Sequence, residues 1–204
     1  MWDNNEGGSG ATRQGCDKRV KDIKRGAPNA KFSQGHVAYC AILQRVISAS
    51  VTVDKQVVSS IGKGILVLAA VAPGDTEKEV DALAAKIIKM KLWDDEETGG
   101  RWKHNVQDIS GDVLCVSQFT LLANTKKGSK PDFHGAMGGE QAKELYQRFV
   151  SKVGEGYNPE KVKDGVFQAM MEVALVNDGP VTFEMSVDPK KDPQKGPKKE
   201  PKKP

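Results

Sequence analysis

The chain has 204 residues, 38% hydrophobic and 28% charged, a balance that suits one soluble domain with some non-globular sequence attached. Its formal net charge of +4 is uneven: residues 1–38 carry +3 and residues 188–204 carry +4, which leaves residues 39–187 at −3. Bulk positive charge is thereby excluded as the way the middle of the chain meets a nucleic acid; a local patch or the tails would have to do it.

Cys16, Cys40 and Cys115 are odd in number with no close pair, so neither a disulfide framework nor a CxxC zinc or redox site is expected, and a reducing compartment is. No apolar run approaches the ~20 residues of a membrane helix, and the Gly-rich, charged start does not read as a signal peptide. A cytoplasmic protein without a membrane partner is expected.

Residues 1–38 lack helical or strand periodicity, and their glycines make ordering expensive, so the reading there is disorder. The domain spans residues 39–187. Ala41 to Val53 reads as a β-branched strand, followed by strands over Val57 to Ile61 and Ile65 to Val71, with Gly62-Lys63-Gly64 as a hairpin turn. Thr76 and Glu79 form a capping box ahead of Val80, Leu83, Ala84, Ile87 and Ile88, which mark one helical face. Val113 to Leu122 is a strand-like run. Glu140 to Val153 repeats the helical spacing through Ala142, Leu145, Tyr146, Phe149 and Val150. Met171 to Val176 and Val181 to Val187 read as two strands. The fold class expected is α/β, a β-barrel-like sheet with two flanking helices. Residues 188–204, with five prolines and no apolar residue, read as a disordered Lys/Pro-rich tail.

Several chemistries lack their residues. His36, His104 and His134 are far apart with no second ligand at helical spacing, so no metal or other cofactor is expected. No Gly-x-Ser-x-Gly elbow and no phosphate-binding loop occur. Two stretches stand out. In Val116-Ser117-Gln118-Phe119-Thr120, polar side chains interrupt an apolar strand. This is either an edge strand with solvated hydroxyls or a strand end whose hydroxyls and free N–H groups hold an anionic oxygen. Asn177-Asp178-Gly179-Pro180 carries turn chemistry, read as a hairpin, and a Gly-Pro bond can be cis at modest cost.

Ser117-Gln118-Phe119-Thr120-Leu121 and Asn177-Asp178-Gly179-Pro180-Val181-Thr182, together with Gln44-Arg45-Val46, Lys126-Lys127-Gly128, Lys130-Pro131-Asp132-Phe133-His134 and Lys163-Asp164-Gly165 with Met170-Met171, resemble the D-aminoacyl-tRNA deacylases from Ala41 to about Ser186. The resemblance implies a homodimer with active sites at the subunit interface and D-aminoacyl-tRNA as substrate. It implies that Ser117, Gln118 and Phe119 line the ester pocket, with N–H groups near Phe119 as the oxyanion hole and Thr120 close by. No His or Lys in the motif activates Thr120, so hydrolysis assisted by the tRNA 2′-hydroxyl is implied in place of a side-chain nucleophile.

By the same resemblance, Gly179 and Pro180 form a cis element inserted from the partner subunit that excludes L-amino acids while admitting D-amino acids and glycine, the latter as glycyl-tRNA mischarged on tRNA-Ala. Arg45 braces that element through its planar five-donor head. Ala136 and Met137 match a pocket-lining segment, although Gly135 departs from the larger apolar residue usual there. Lys126, Lys127 and Lys130 are the phosphate contacts, weighed against ordinary solvated lysines. Two alternatives stand beside this reading. One is the sister deacylase that removes L-alanine, against which Ser117 and Phe119 speak; the other is a DNA-binding, replication-associated role for the basic tail.

Overall fold

The computed structural model describes residues 39–126 and 128–187; the readings of disorder over 1–38 and 188–204 lie outside the described residues. The six strands are β1 (Cys40–Val53), β2 (Gln56–Ile61), β3 (Gly64–Ala70), β4 (Asp112–Ser117), β5 (Val162–Asp164) and β6 (Glu172–Ser186), and the helices are α1 (Glu77–Ile88) and α2 (Gly139–Gly156). They form one nearly closed, barrel-like mixed sheet with two helices.

β1 is the spine. On one edge its second half pairs with β2 and its first half with β3, both antiparallel, while β6 runs antiparallel along the other edge for nearly its full length. β3, β4 and β5 continue the sheet in parallel. Parallel neighbours need long crossovers, and α1 and α2 lie within them. Helix α1 starts as expected: Thr76 caps it, and Glu79 returns the bond to the Thr76 backbone N–H.

The period-2 alternation of the central strands divides the core in two. Leu43, Ile65, Val67, Val113 and Cys115 face α1 (Val80, Leu83, Ile87) and α2 (Tyr146, Phe149, Val153). Val46, Val51, Leu66, Leu114 and Val116 face the opposite side and pack with Val173 and Leu175 of β6. Gly64 is required where β3 leaves the bend, because a Cβ there would stand 1.9 Å from the Asp112 carbonyl oxygen.

Three local readings change. Gly62-Lys63-Gly64 is not a hairpin, since β2 and β3 both pair with β1 and not with each other. The tight hairpin is one step earlier, where Asp54 and Lys55 adopt φ of 48° and 64° between β1 and β2, the left-handed pair that a two-residue turn demands. The strand expected over Val113 to Leu122 stops at Ser117 and gives way to a 3-10 turn over Phe119–Leu122. The two strands expected on either side of Asn177-Asp178-Gly179-Pro180 are one strand, β6, in which these residues bulge: Val181 pairs with Arg45 and Asn177 with the next residue, Val46.

Candidate functional site

The site is built where β4 ends. Gln118 donates its backbone N–H to the Ala69 carbonyl at 2.7 Å, which carries the chain just past the last ladder pair, Ala69 with Ser117. The backbone then tightens into the 3-10 turn, closed by Leu121 N–H to Gln118 and Ala123 N–H to Thr120. At the start of such a turn the first N–H groups have no acceptor within it. No side chain caps this one, and the Gln118 amide nitrogen donates to the Thr120 hydroxyl. The strand ending puts Ser117, Gln118, Phe119 and Thr120 on the wall of a cavity of about 660 Å³.

A second segment closes on the first. Asn124 and Asp132 exchange backbone hydrogen bonds at 2.8 and 3.0 Å, and this folds Phe133 back to meet Phe119 edge-on with ring centroids 5.3 Å apart. The next turn, Ala136 N–H to the Phe133 carbonyl, delivers Ala136 and Met137 to the cavity. Gly135 has open space where a Cβ would stand, so a side chain at this position would meet no clash. Lys126 and Lys130 are exposed on this segment; Lys127 lies outside the described residues. Asp132 accepts from the His134 backbone N–H and contacts its ring, which holds its carboxyl below the usual range.

Helix α2 and the β5–β6 connection form the remaining walls, through Ala142, Tyr146, Phe167, Gln168 and Met171. Tyr146 donates to Asp164 of β5. Burial, with Cys115 and Asp164 nearby, pushes the Tyr146 hydroxyl well up, and burial likewise raises the Asp164 carboxyl. Among the described residues, no His, Lys, Arg, Asp, Glu or Cys lines the cavity; its polar side chains are Ser117, Gln118, Thr120, Gln168 and the engaged Tyr146. Among the same residues no cluster of three metal-ligating side chains occurs. Phe167 and Gln168 had no part in the sequence reading, Tyr146 entered it only as helical spacing and Asp164 only within the Lys163-Asp164-Gly165 motif, because an apolar helix stripe and a loop do not announce a cavity wall.

Gly179 and Pro180 do not line this cavity within one chain. They project from the β6 bulge, joined by a cis bond, with Gly179 at φ 114°. Arg45 stands across the bulge: its Nε donates to the Asp178 carbonyl at 3.2 Å, its Nη2 to the Asp178 carboxylate at 3.3 Å, and its Nη1 to the Leu92 carbonyl. A Cβ on Gly179 would come within 3.0 Å of that guanidinium. The structure therefore groups the site residues in two places, Ser117 to Thr120 with Ala136 and Met137 at the cavity, and Arg45 with Gly179 and Pro180 at the bulge.

Residues 42–186 match the family model described as D-Tyr-tRNA(Tyr) deacylase. A D-aminoacyl-tRNA deacylase of Yarrowia lipolytica is 55% identical over 146 residues, 71% of this chain and 94% of that one. A solved structure titled c-Myc DNA Unwinding Element Binding Protein is 45% identical with a TM-score of 0.69, covering 73% of this chain and 99% of that one. Another, titled as a probable eukaryotic D-amino acid tRNA deacylase, is 18% identical with a TM-score of 0.65, covering 74% of this chain and all of its own, and shows the same fold. The chain belongs to the D-Tyr-tRNA(Tyr) deacylase family and is a hydrolase, a D-aminoacyl-tRNA deacylase.

Proposed function

We propose that residues 39–187 act in the cytoplasm as a homodimeric proofreading unit that cleaves D-amino acids, and glycine mischarged on tRNA-Ala, from tRNA with no side-chain nucleophile. The observation that carries this is the chemistry of the cavity wall: among the described residues it holds no group able to serve as a general base, and the only partner of the Thr120 hydroxyl is the Gln118 amide. A serine or threonine nucleophile needs a base within hydrogen-bond reach. Water is therefore the attacking group, activated by the 2′-hydroxyl of the terminal ribose. Its oxygen bonds to the carbonyl carbon, the bond to the ribose 3′-oxygen breaks, and the proton ends on that oxygen. Uncapped N–H groups at Phe119 and Thr120 hold the carbonyl oxygen as it gains charge, a contribution of roughly 10²–10³ in rate per donor.

Selection is assigned to Gly179 and Pro180 of the partner subunit, which face an L side chain with backbone oxygens and leave a D side chain or a glycine free. Arg45 supports this reading, because three hydrogen bonds tie the bulge to β1 and to Leu92. Lys126 and Lys130, both exposed, are assigned to tRNA phosphates, as is Lys127.

The test pairs two changes. Thr120→Ala is expected to keep measurable deacylation, whereas D-tyrosyl-tRNA ending in a 2′-deoxyribose is expected to be turned over at least about a hundredfold more slowly. Complete loss in a folded Thr120→Ala protein, or normal turnover of the 2′-deoxy substrate, contradicts the mechanism.

A further inference from the structure

Gln168 is a side-chain residue held in a conformation that favours glycine. It lies in the connection between β5 and β6, in a turn closed by the Ala169 N–H donating to the Val166 carbonyl at 3.2 Å, and its φ is +64°. At the third position of such a turn the left-handed region is the place for glycine, because an L side chain there crowds its own backbone. Gln168 is exposed at this turn, and Asp54, Lys55, Trp102 and Ser110 also take positive φ, so the angle gains meaning only from where the side chain stands.

Gln168 lines the cavity. Its amide also lies against Gly139 at the start of α2, where a Cβ would meet the Gln168 Nε2 at 2.6 Å, so the space the amide occupies exists because position 139 has no side chain. The turn is anchored from behind: Phe167 packs on Tyr146 with centroids 5.6 Å apart, and Tyr146 is held by Asp164. The surrounding wall is apolar and aromatic, through Met137, Ala142, Phe167 and Met171. An amide offers two N–H donors and a carbonyl acceptor in one plane.

We propose that Gln168 is a substrate-positioning residue of the deacylase, whose amide engages the polar edge of a flat ring seated against this wall. This rests on the reading that the cavity at Ser117 to Thr120 receives the substrate. A ring of that kind is supplied by the terminal nucleobase of the tRNA or by an aromatic acyl group such as D-tyrosine.

The experiment compares Gln168→Gly and Gln168→Ala with the parent protein, measuring kcat and KM on D-tyrosyl- and D-alanyl-tRNA and Tm for each. Both variants lose the amide, and KM is expected to rise about five- to tenfold with kcat within twofold. Interactions made equally with ground and transition states behave this way. Gln168→Gly also relieves the turn, so its Tm is expected to equal or exceed the parent's while its affinity falls. A KM rise on both substrates identifies the nucleobase as the ring, and a rise on D-tyrosyl-tRNA alone identifies the acyl group. KM within twofold of the parent for both variants overturns the proposal, as does a Gln168→Gly protein that loses Tm and activity together, which marks a structural residue. Met137→Trp, which fills the cavity, separates the two levels of inference. If that folded protein keeps full activity, the cavity is not the substrate site; if it is inactive while both Gln168 variants are normal, only the role of Gln168 fails.

Discussion

Arg45 and Gly179 meet across the bulge of β6, and each is suited to its place by a physical property that a near relative lacks. The guanidinium reaches the Asp178 carbonyl, the Asp178 carboxylate and the Leu92 carbonyl at once, whereas an ammonium is a point donor on a flexible stem. Arg45→Lys is therefore expected to lower kcat/KM on D-tyrosyl-tRNA by roughly tenfold to a hundredfold while the protein stays folded; steady-state kinetics with a thermal melt checks it, and an unchanged kcat/KM would remove Arg45 from the selection element. The described thiols give a second test. Burial pushes Cys40 up to about 11 and raises Cys115 further, with Glu184 and Asp164 adding to the respective shifts. Only the thiolate is an effective nucleophile. Both cysteines are expected to resist alkylation at pH 8 in the native protein and to label fully in denaturant, as read by peptide mass mapping; rapid native labelling of either contradicts its placement in the core.

At the scale of elements, α1 and α2 are tied on their outer faces by Arg148, which forks onto Asp81 at 2.7 and 2.8 Å. The hydrogen bonds from Arg148 come first among the causes that hold the Asp81 carboxyl below its ordinary value. A carboxyl lowered in the folded state adds stability above its unfolded pKa of about 3.9 and loses it as pH falls through the folded value. Asp81→Asn is expected to lower Tm at pH 7 by a small amount, since the pair is solvent-screened, and the difference is expected to shrink as pH falls below about 3.9. A difference that persists unchanged in acid would assign the penalty to something other than charge.

The elements also show what was legible in the residues. Capping chemistry and helical spacing located α1 and α2 within three residues at each end, because those signals are local. Strand pairing is not local: Asn-Asp-Gly-Pro carries the same turn propensities in a hairpin and in a bulge, and only the register of β6 against β1 distinguishes them. The same reason hid the continuity of β2 and β3 along one edge. β5, at three residues, is too short for any period, and the 3-10 turn after Ser117 looked like more strand because Phe119, Leu121 and Leu122 are apolar. Ser117 to Thr120, Ala136 and Met137 could be named from family motifs and do share a cavity, whereas Gln168 emerges only from the structure, through its place on the cavity wall and its backbone angle.

For the whole molecule, the cavity at Ser117 and the element at Gly179 occupy separate places on one chain, and the proposed function joins them through a second copy. Exposed Ile47, Val57, Val58 and Val176 lie on β1, β2 and β6. A second copy covering part of this sheet would bury some of them. The folded middle of the chain is net negative, which favours a few placed lysines over general attraction to nucleic acid. Separation of enantiomers by exclusion is read out by following deacylation of D-tyrosyl-tRNA and L-tyrosyl-tRNA side by side at equal enzyme. Rapid release of D-tyrosine is expected, with L-tyrosyl-tRNA decaying no faster than in buffer. Comparable turnover of the two would contradict it.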